Sequence, residues 1–226
     1  MSEPHIDPPA WSRAYEANFA AYAAALAEAG HGAVMRQDDA VLIDLPGHPY
    51  FNGVVSPHFT DGQSLPRIAE IIDVFRRWKS TVRFRLGPST QPADLSLLFE
   101  DSDAAYWGVP YMALDLSHWK AHEVDPPGLE LRIVDDYSAF REQPHPLYGY
   151  VNTSDKRRLF AAFERLASEQ PQRHWMFVAE KDGQAVGAST LYLHEDSAGV
   201  YDFEVLDEFR RQGIGTALLQ SMCDFA

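Results

Sequence analysis

Trp11, Tyr15, Phe19, Tyr22 and Leu26 recur at intervals of 4, 4, 3 and 4. This is the spacing of one helix face, and the alanine-rich segment carrying it stops at Gly30. Extended runs at 33–37 and 40–45 follow, joined at Asp38-Asp39 as a hairpin, and a third run, 50–56, comes after the turn Pro46-Gly47-His48-Pro49. Ser64 reads as the cap of a helix with Pro66 in its first turn and Ile68, Ile71, Ile72 and Phe75 facing inward. In 81–86 the alternation puts Val82, Phe84 and Leu86 on one side and Arg83 and Arg85 on the other. A short helix over 92–99 and strands over 104–108 and 111–116 close this half.

Residues 119–128, WKAHEVDPPG, read as a polar, proline-containing linker. Beyond it the pattern predicts a strand at 129–134, an irregular stretch around Gln143-Pro144-His145-Pro146, and a helix capped by Thr153 or Ser154 that runs to about residue 168. Strands at 175–181 and 185–194 meet at the turn Asp182-Gly183. A further turn at 196–199 leads into an extended segment at 201–206. A charged turn and a glycine loop, 210–215, come next, and from Thr216 a helix puts Ile214, Leu218, Met222 and Phe225 on one face at intervals of 4, 4 and 3. The pattern therefore predicts an α+β chain in two parts, residues 1–118 and 129–226.

The glycine loop is where the sequence suggests chemistry. The first N–H groups of a helix have no partner within it, and Gly213 and Gly215 keep side chains out of their way. With the positive end of the helix dipole, such a mouth binds anions, phosphate above all. It is not a dinucleotide fingerprint, because Leu218 stands where a third small residue is needed. Nor is it a Walker-type loop, because Thr216 and Ala217 follow the last glycine in place of Lys and Ser or Thr.

The run Arg210-Arg211-Gln212-Gly213-Ile214-Gly215-Thr216-Ala217, preceded by a strand and followed by Leu218-Leu219, resembles the Q/R-x-x-G-x-G/A motif of the GNAT family of N-acetyltransferases. The resemblance implies that Arg210, Arg211, Gln212, Gly213, Ile214, Gly215 and Thr216 hold the pyrophosphate of acetyl-coenzyme A, with Phe203 and Val205 along the pantetheine arm. It also implies the acyl-CoA N-acyltransferase fold, in tandem. Element order in the first half is similar to that fold from its second strand onward. Its strand-to-helix connection, SPHFTDGQSLPR, lacks the paired glycines, so this half reads as a degenerate copy. The family's fifth strand, fourth helix and last two strands would follow the glycine-loop helix, so the second copy reads as incomplete at Ala226.

Composition narrows the partners. The net charge is −14, with −7 in each half, and there is no basic run. Nucleic acid and anionic membrane are therefore not expected partners. An acidic surface suits an amine substrate, and a homodimer is compatible with the resemblance. Cys223 is the one cysteine, which precludes an internal disulfide and points to the cytoplasm. The N-terminus has no basic and apolar leader. His145, His174 and His194 lack ligand spacing, so no metal is expected.

Acetyl transfer to an amine requires removal of a proton, polarisation of the thioester carbonyl and stabilisation of the departing thiolate. Asp202, Glu204 and Tyr201 are the candidates. Simple alternation sets Asp202 and Glu204 on one strand face and Tyr201, Phe203 and Val205 on the other, unless a bulge re-aims the acids. Glu195, beside His194, is a further candidate for a substrate mouth, and the 143–152 segment for substrate choice. A Gly213→Val side chain is expected to occupy the phosphate position. The resulting reading is transfer of an acetyl group from acetyl-coenzyme A to the amine of a small molecule or peptide. The alternative is a non-catalytic module of the same fold that binds coenzyme A or serves as an interaction domain.

Overall fold

The computed structural model describes residues 10–46, 48, 51–60, 62–99, 111–121, 124–142, 146–147 and 153–226. Two units form, residues 1–45 with 49–113, and residues 46–48 with 114–226. The anticipated strand at 104–108 lies outside the described residues.

In the first unit, helix α1 (Ala10–Ala29) precedes a hairpin of β1 (Ala33–Gln37) and β2 (Ala40–Asp44). β3 (Gly53–Val55) pairs antiparallel with β2, and β4 (Phe84–Arg85) pairs parallel with β3. The connection between β3 and β4 is helix α2 (Ser64–Trp78). Ile68, Ile71, Val74 and Phe75 of α2 pack on Leu42 and Val54, with Val82, Phe84 and Leu86 joining the cluster. On α1, Tyr22 and Phe19 meet Phe51, and the Arg85 guanidinium lies 3.9 Å from the centre of the Phe19 ring. The opposed sides read from the alternation at 82–86 are therefore real, although the ladder there is only two residues long.

Three local expectations in this unit are corrected. Ser64 is the first helical residue, and the cap is Gln63, whose side chain makes no capping bond. The 92–99 helix is a 3-10 turn over Leu95–Phe99. Residues 111–116 form no strand. Tyr111 instead stacks flat on Tyr15 of α1, with ring centres 4.2 Å apart, and the Asp115 carboxylate accepts from the Ser117 N–H at 2.9 Å, turning the chain into a 3-10 turn at Leu116–His118.

The second unit is built on an antiparallel sheet in the order β5 (Leu129–Ile133), β6 (His174–Lys181), β7 (Gln184–His194) and β8 (Ser197–Val205). β8 begins earlier than the sequence suggested, because the turn is the pair Glu195-Asp196, with Glu195 at φ +49°. One face carries helix α5 (Ile214–Phe225), whose Ile214, Leu218 and Met222 pack on Phe177, Ala179, Leu191 and Val205. Phe225 extends this contact edge-on to Trp175 and Phe177. The other face is covered by α3 (Tyr137–Glu142) and α4 (Thr153–Glu169). α3 was not anticipated. The Asp136 carboxylate caps it by accepting from the Ala139 N–H at 2.8 Å, and Phe140 meets Phe160 of α4.

His174 sits between these helices and the sheet. Its ring stacks on Phe163, with centres 5.8 Å apart, and on Tyr137 at 6.3 Å. Burial depresses its pKa to about 3, so the folded ring is neutral. The folded value lies below the unfolded one of 6.5, so the unfolded chain binds the extra proton between those limits. This contribution to stability is complete above about pH 6.5 and falls by up to about 1.4 kcal/mol per pH unit on acidification. Denaturant unfolding of the native protein and of His174→Leu from pH 7.5 to 4.5 should show the native protein losing ground to the variant as pH falls. A pH-independent difference would remove His174 as the cause.

Candidate functional site

The site forms where β8 runs into α5. β8 pairs in register with β7 from Ser197↔His194 to Tyr201↔Thr190, then resumes at Glu204↔Ala188 and Val205↔Gly187. One residue is therefore extra on β8, and the bulge centres on Asp202, which adopts φ +54°. Left-handed backbone is uncommon outside glycine, and aspartate is among the residues that tolerate it. The Ser189 hydroxyl braces the distortion by donating to the Tyr201 carbonyl at 2.9 Å.

The bulge overturns the simple alternation. Thr190 and Ala188 are two residues apart on β7 and share a face, so their partners Tyr201 and Glu204 also share a face. Tyr201 is buried and Glu204 half-buried on this side. Phe203 and Val205 lie on the α5 side, where a Cβ on Gly215 would come 3.5 Å from the Phe203 ring and 3.7 Å from Val205. Phe203 is 42% exposed. The sequence reading had paired Asp202 with Glu204 and put Tyr201 with Phe203. In the structure, Tyr201 joins Glu204 and Phe203 joins Val205.

After β8 a 3-10 turn, Asp207–Phe209, leads to Arg211 at φ +60° and to Gly213 at φ +81°, the N-cap of α5. Among the described residues, no acceptor engages the backbone N–H groups of Gln212, Gly213, Ile214, Gly215 or Thr216. The first amide of this segment to bond is Ala217, which donates to the Gly213 carbonyl at 2.9 Å. Arg211, Gln212 and Thr216 are exposed. Gly213 and Gly215 are half-buried and Ile214 is buried. The donors are thus gathered at a helix mouth whose rim, at Gln212 and Thr216, is open, and unengaged N–H groups at such a mouth are what grips an anion. They fit the diphosphate of a coenzyme, which needs several donors and no enclosing cage.

The side chains divide the work differently from the motif reading. Arg210 turns back, donating from Nε to the Val205 carbonyl at 3.0 Å and pairing with Asp207 at 2.8 Å, so it ties the loop to the end of β8. Gln212 donates to the Glu208 carbonyl at 3.1 Å and accepts from Lys181 Nζ at 3.2 Å. Lys181, at the tip of the β6–β7 hairpin, was not singled out from the sequence. It is far from the motif in the chain, and no spacing rule links the two.

The stretch read as a linker packs on this loop and helix. The Trp119 indole donates to the Asp224 carboxylate at 2.7 Å. A Cβ on Gly213 would touch Val124 at 3.4 Å and Pro126 at 3.5 Å. A side chain at 213 would therefore lie against Val124 and Pro126. Cys223 is half-buried and burial pushes its thiol up, which argues against a nucleophilic role. No cluster of ligating side chains suited to a metal occurs among the described residues. His145 and most of the 143–152 segment lie outside them.

Residues 132–226 match the model of the acetyltransferase (GNAT) family. No curated protein matches the chain. Among solved structures, a candidate acetyltransferase from Pyrococcus horikoshii aligns at 18% identity and a TM-score of 0.37, over 48% of this chain and 38% of that one. The alignment thus spans well under half of that protein's length. An aminoglycoside acetyltransferase from an uncultured soil metagenomic sample, solved with sisomicin, aligns at 23% identity and TM-score 0.34, over 43% and 69% of the two chains. A functionally unknown conserved protein from Staphylococcus epidermidis shares the fold more broadly, at 15% identity and TM-score 0.51, over 86% of this chain and 80% of that one.

The two loop glycines should respond differently. Gly213→Ala forces a Cβ into left-handed backbone and should cost about 1–2 kcal/mol. Gly215→Ala makes only ordinary contacts and should leave thermal stability nearly unchanged. Equal melting temperatures for the two variants would contradict this geometry.

Proposed function

We propose that this protein transfers an acetyl group from acetyl-coenzyme A to the primary amine of a small molecule or peptide. The observation that carries the reading is the set of main-chain donors from Gln212 to Thr216 that no acceptor among the described residues engages, beside a strand whose bulge sets Glu204 and Tyr201 on one face. The coenzyme supplies an activated thioester. The chain's own part is to hold the diphosphate with the loop amides and to keep Phe203 and Val205 beside the arm.

An ammonium has no lone pair to attack with, so a group at the site must take its proton. Glu204 is the proposed base, and Tyr201, fixed beside it by the register, orients the incoming amine or donates to the leaving sulfur. Asp202 serves chiefly through its backbone. The first unit, without paired glycines between β3 and α2, is proposed as a degenerate copy that holds no diphosphate. The negative charge of the chain favours cationic acceptors.

Titration calorimetry with acetyl-coenzyme A should show saturable binding, and no heat at millimolar ligand would overturn the proposal. With an accepted amine, Glu204→Gln should lower kcat by about 100-fold while leaving acetyl-coenzyme A affinity within about threefold. Binding without thiol release across an amine panel would instead favour a non-catalytic module that binds the coenzyme.

A further inference from the structure

Lys181 occupies a position that the glycine motif does not encode. It ends β6, and its ammonium reaches the loop in front of α5, where it donates to Gln212 Oε1 at 3.2 Å. The Gln212 amide is oriented by its second bond, to the Glu208 carbonyl, so its oxygen faces Lys181. Among the described residues no carboxylate lies within ion-pairing distance of Lys181. Arg210, the loop cation that the motif favours, is already paired with Asp207 and bonded to Val205. The loop therefore presents a row of main-chain donors together with an ammonium whose partner among the described residues is a neutral amide. The ammonium is solvent-exposed and has no counter-ion among the described residues, so an oxyanion that accepts from the loop amides would gain a charge-assisted partner in it.

Resting on the coenzyme reading above, we infer that Lys181 is a coenzyme-binding residue whose ammonium pairs with the diphosphate. It exchanges its bond to Gln212 for one to a phosphate oxygen. The β6–β7 hairpin tip is thereby part of the binding site, and Arg210 acts as a brace within the protein.

The test is calorimetric titration of native protein, Lys181→Gln, Lys181→Arg and Gln212→Met with acetyl-coenzyme A and with 3′-dephospho-coenzyme A, at several salt concentrations. Lys181→Gln keeps a donor for Gln212 and removes the charge. It should weaken both ligands by about tenfold or more and flatten the salt dependence of binding. Lys181→Arg should stay within about threefold of the native protein, and Gln212→Met should leave the salt dependence intact. Native-like affinity in Lys181→Gln, with the native protein binding normally, would overturn the role of Lys181 and leave the coenzyme reading standing. So would a loss confined to the ligand that carries the 3′-phosphate. Equal loss in Lys181→Gln and Gln212→Met with unchanged salt dependence would reduce Lys181 to a structural support. Failure of the native protein to bind either ligand would overturn the coenzyme reading and this inference together.

Discussion

The second unit depends on one packing contact, the apolar stripe of α5 against the sheet. Ile214, Leu218 and Met222 are almost completely buried, and each such side chain removed from water contributes about 1.5–3 kcal/mol. That contact fixes where the helix begins as well as where it lies. Its mouth must open just past the end of β8, with Gly213 making the turn. The unengaged amides are thus a by-product of core packing. Arg210 reinforces the same geometry by tying the loop to Val205, the last strand residue.

Much of this arrangement was legible in the sequence. The 4, 4, 3 spacing of Ile214, Leu218, Met222 and Phe225 announced the buried stripe, and Gly213 marked the turn. The hairpin at Asp182-Gly183 was equally plain. What escaped was set by pairing or by contact across the chain. Nothing in the run VYDFEV reveals that Asp202 is an extra residue against β7, yet that fact decides which side chains share a face. Lys181 is invisible for a similar reason, since its neighbour Gln212 lies 31 positions away. Helix α3 could have been found, because Asp136 is a good cap and Tyr137 and Phe140 are three apart. Its six residues are too few for periodicity to stand out.

Two kinds of cation therefore meet the loop. Arg210 is spent on internal bonds, while Lys181 approaches from another strand with a neutral partner. A motif read along the chain points to the nearest arginine, whereas the fold also brings a lysine from the hairpin to the loop. A cation already neutralised by Asp207 has less attraction left for an anion.

The bulge at Asp202 also governs how this part of the gene can change length. The stretches of β8 on either side of it are out of phase by one residue, so deleting a residue there would restore plain alternation. Glu204 would keep its place opposite Ala188, on the face it shares with Tyr201, because the two stretches would then be in phase. An insertion or deletion at Glu195-Asp196, by contrast, falls in a surface turn and can be absorbed there. Length variation among descendants of this sequence should thus collect at the β7–β8 turn and, within β8, be confined to the one extra residue between Tyr201 and Glu204.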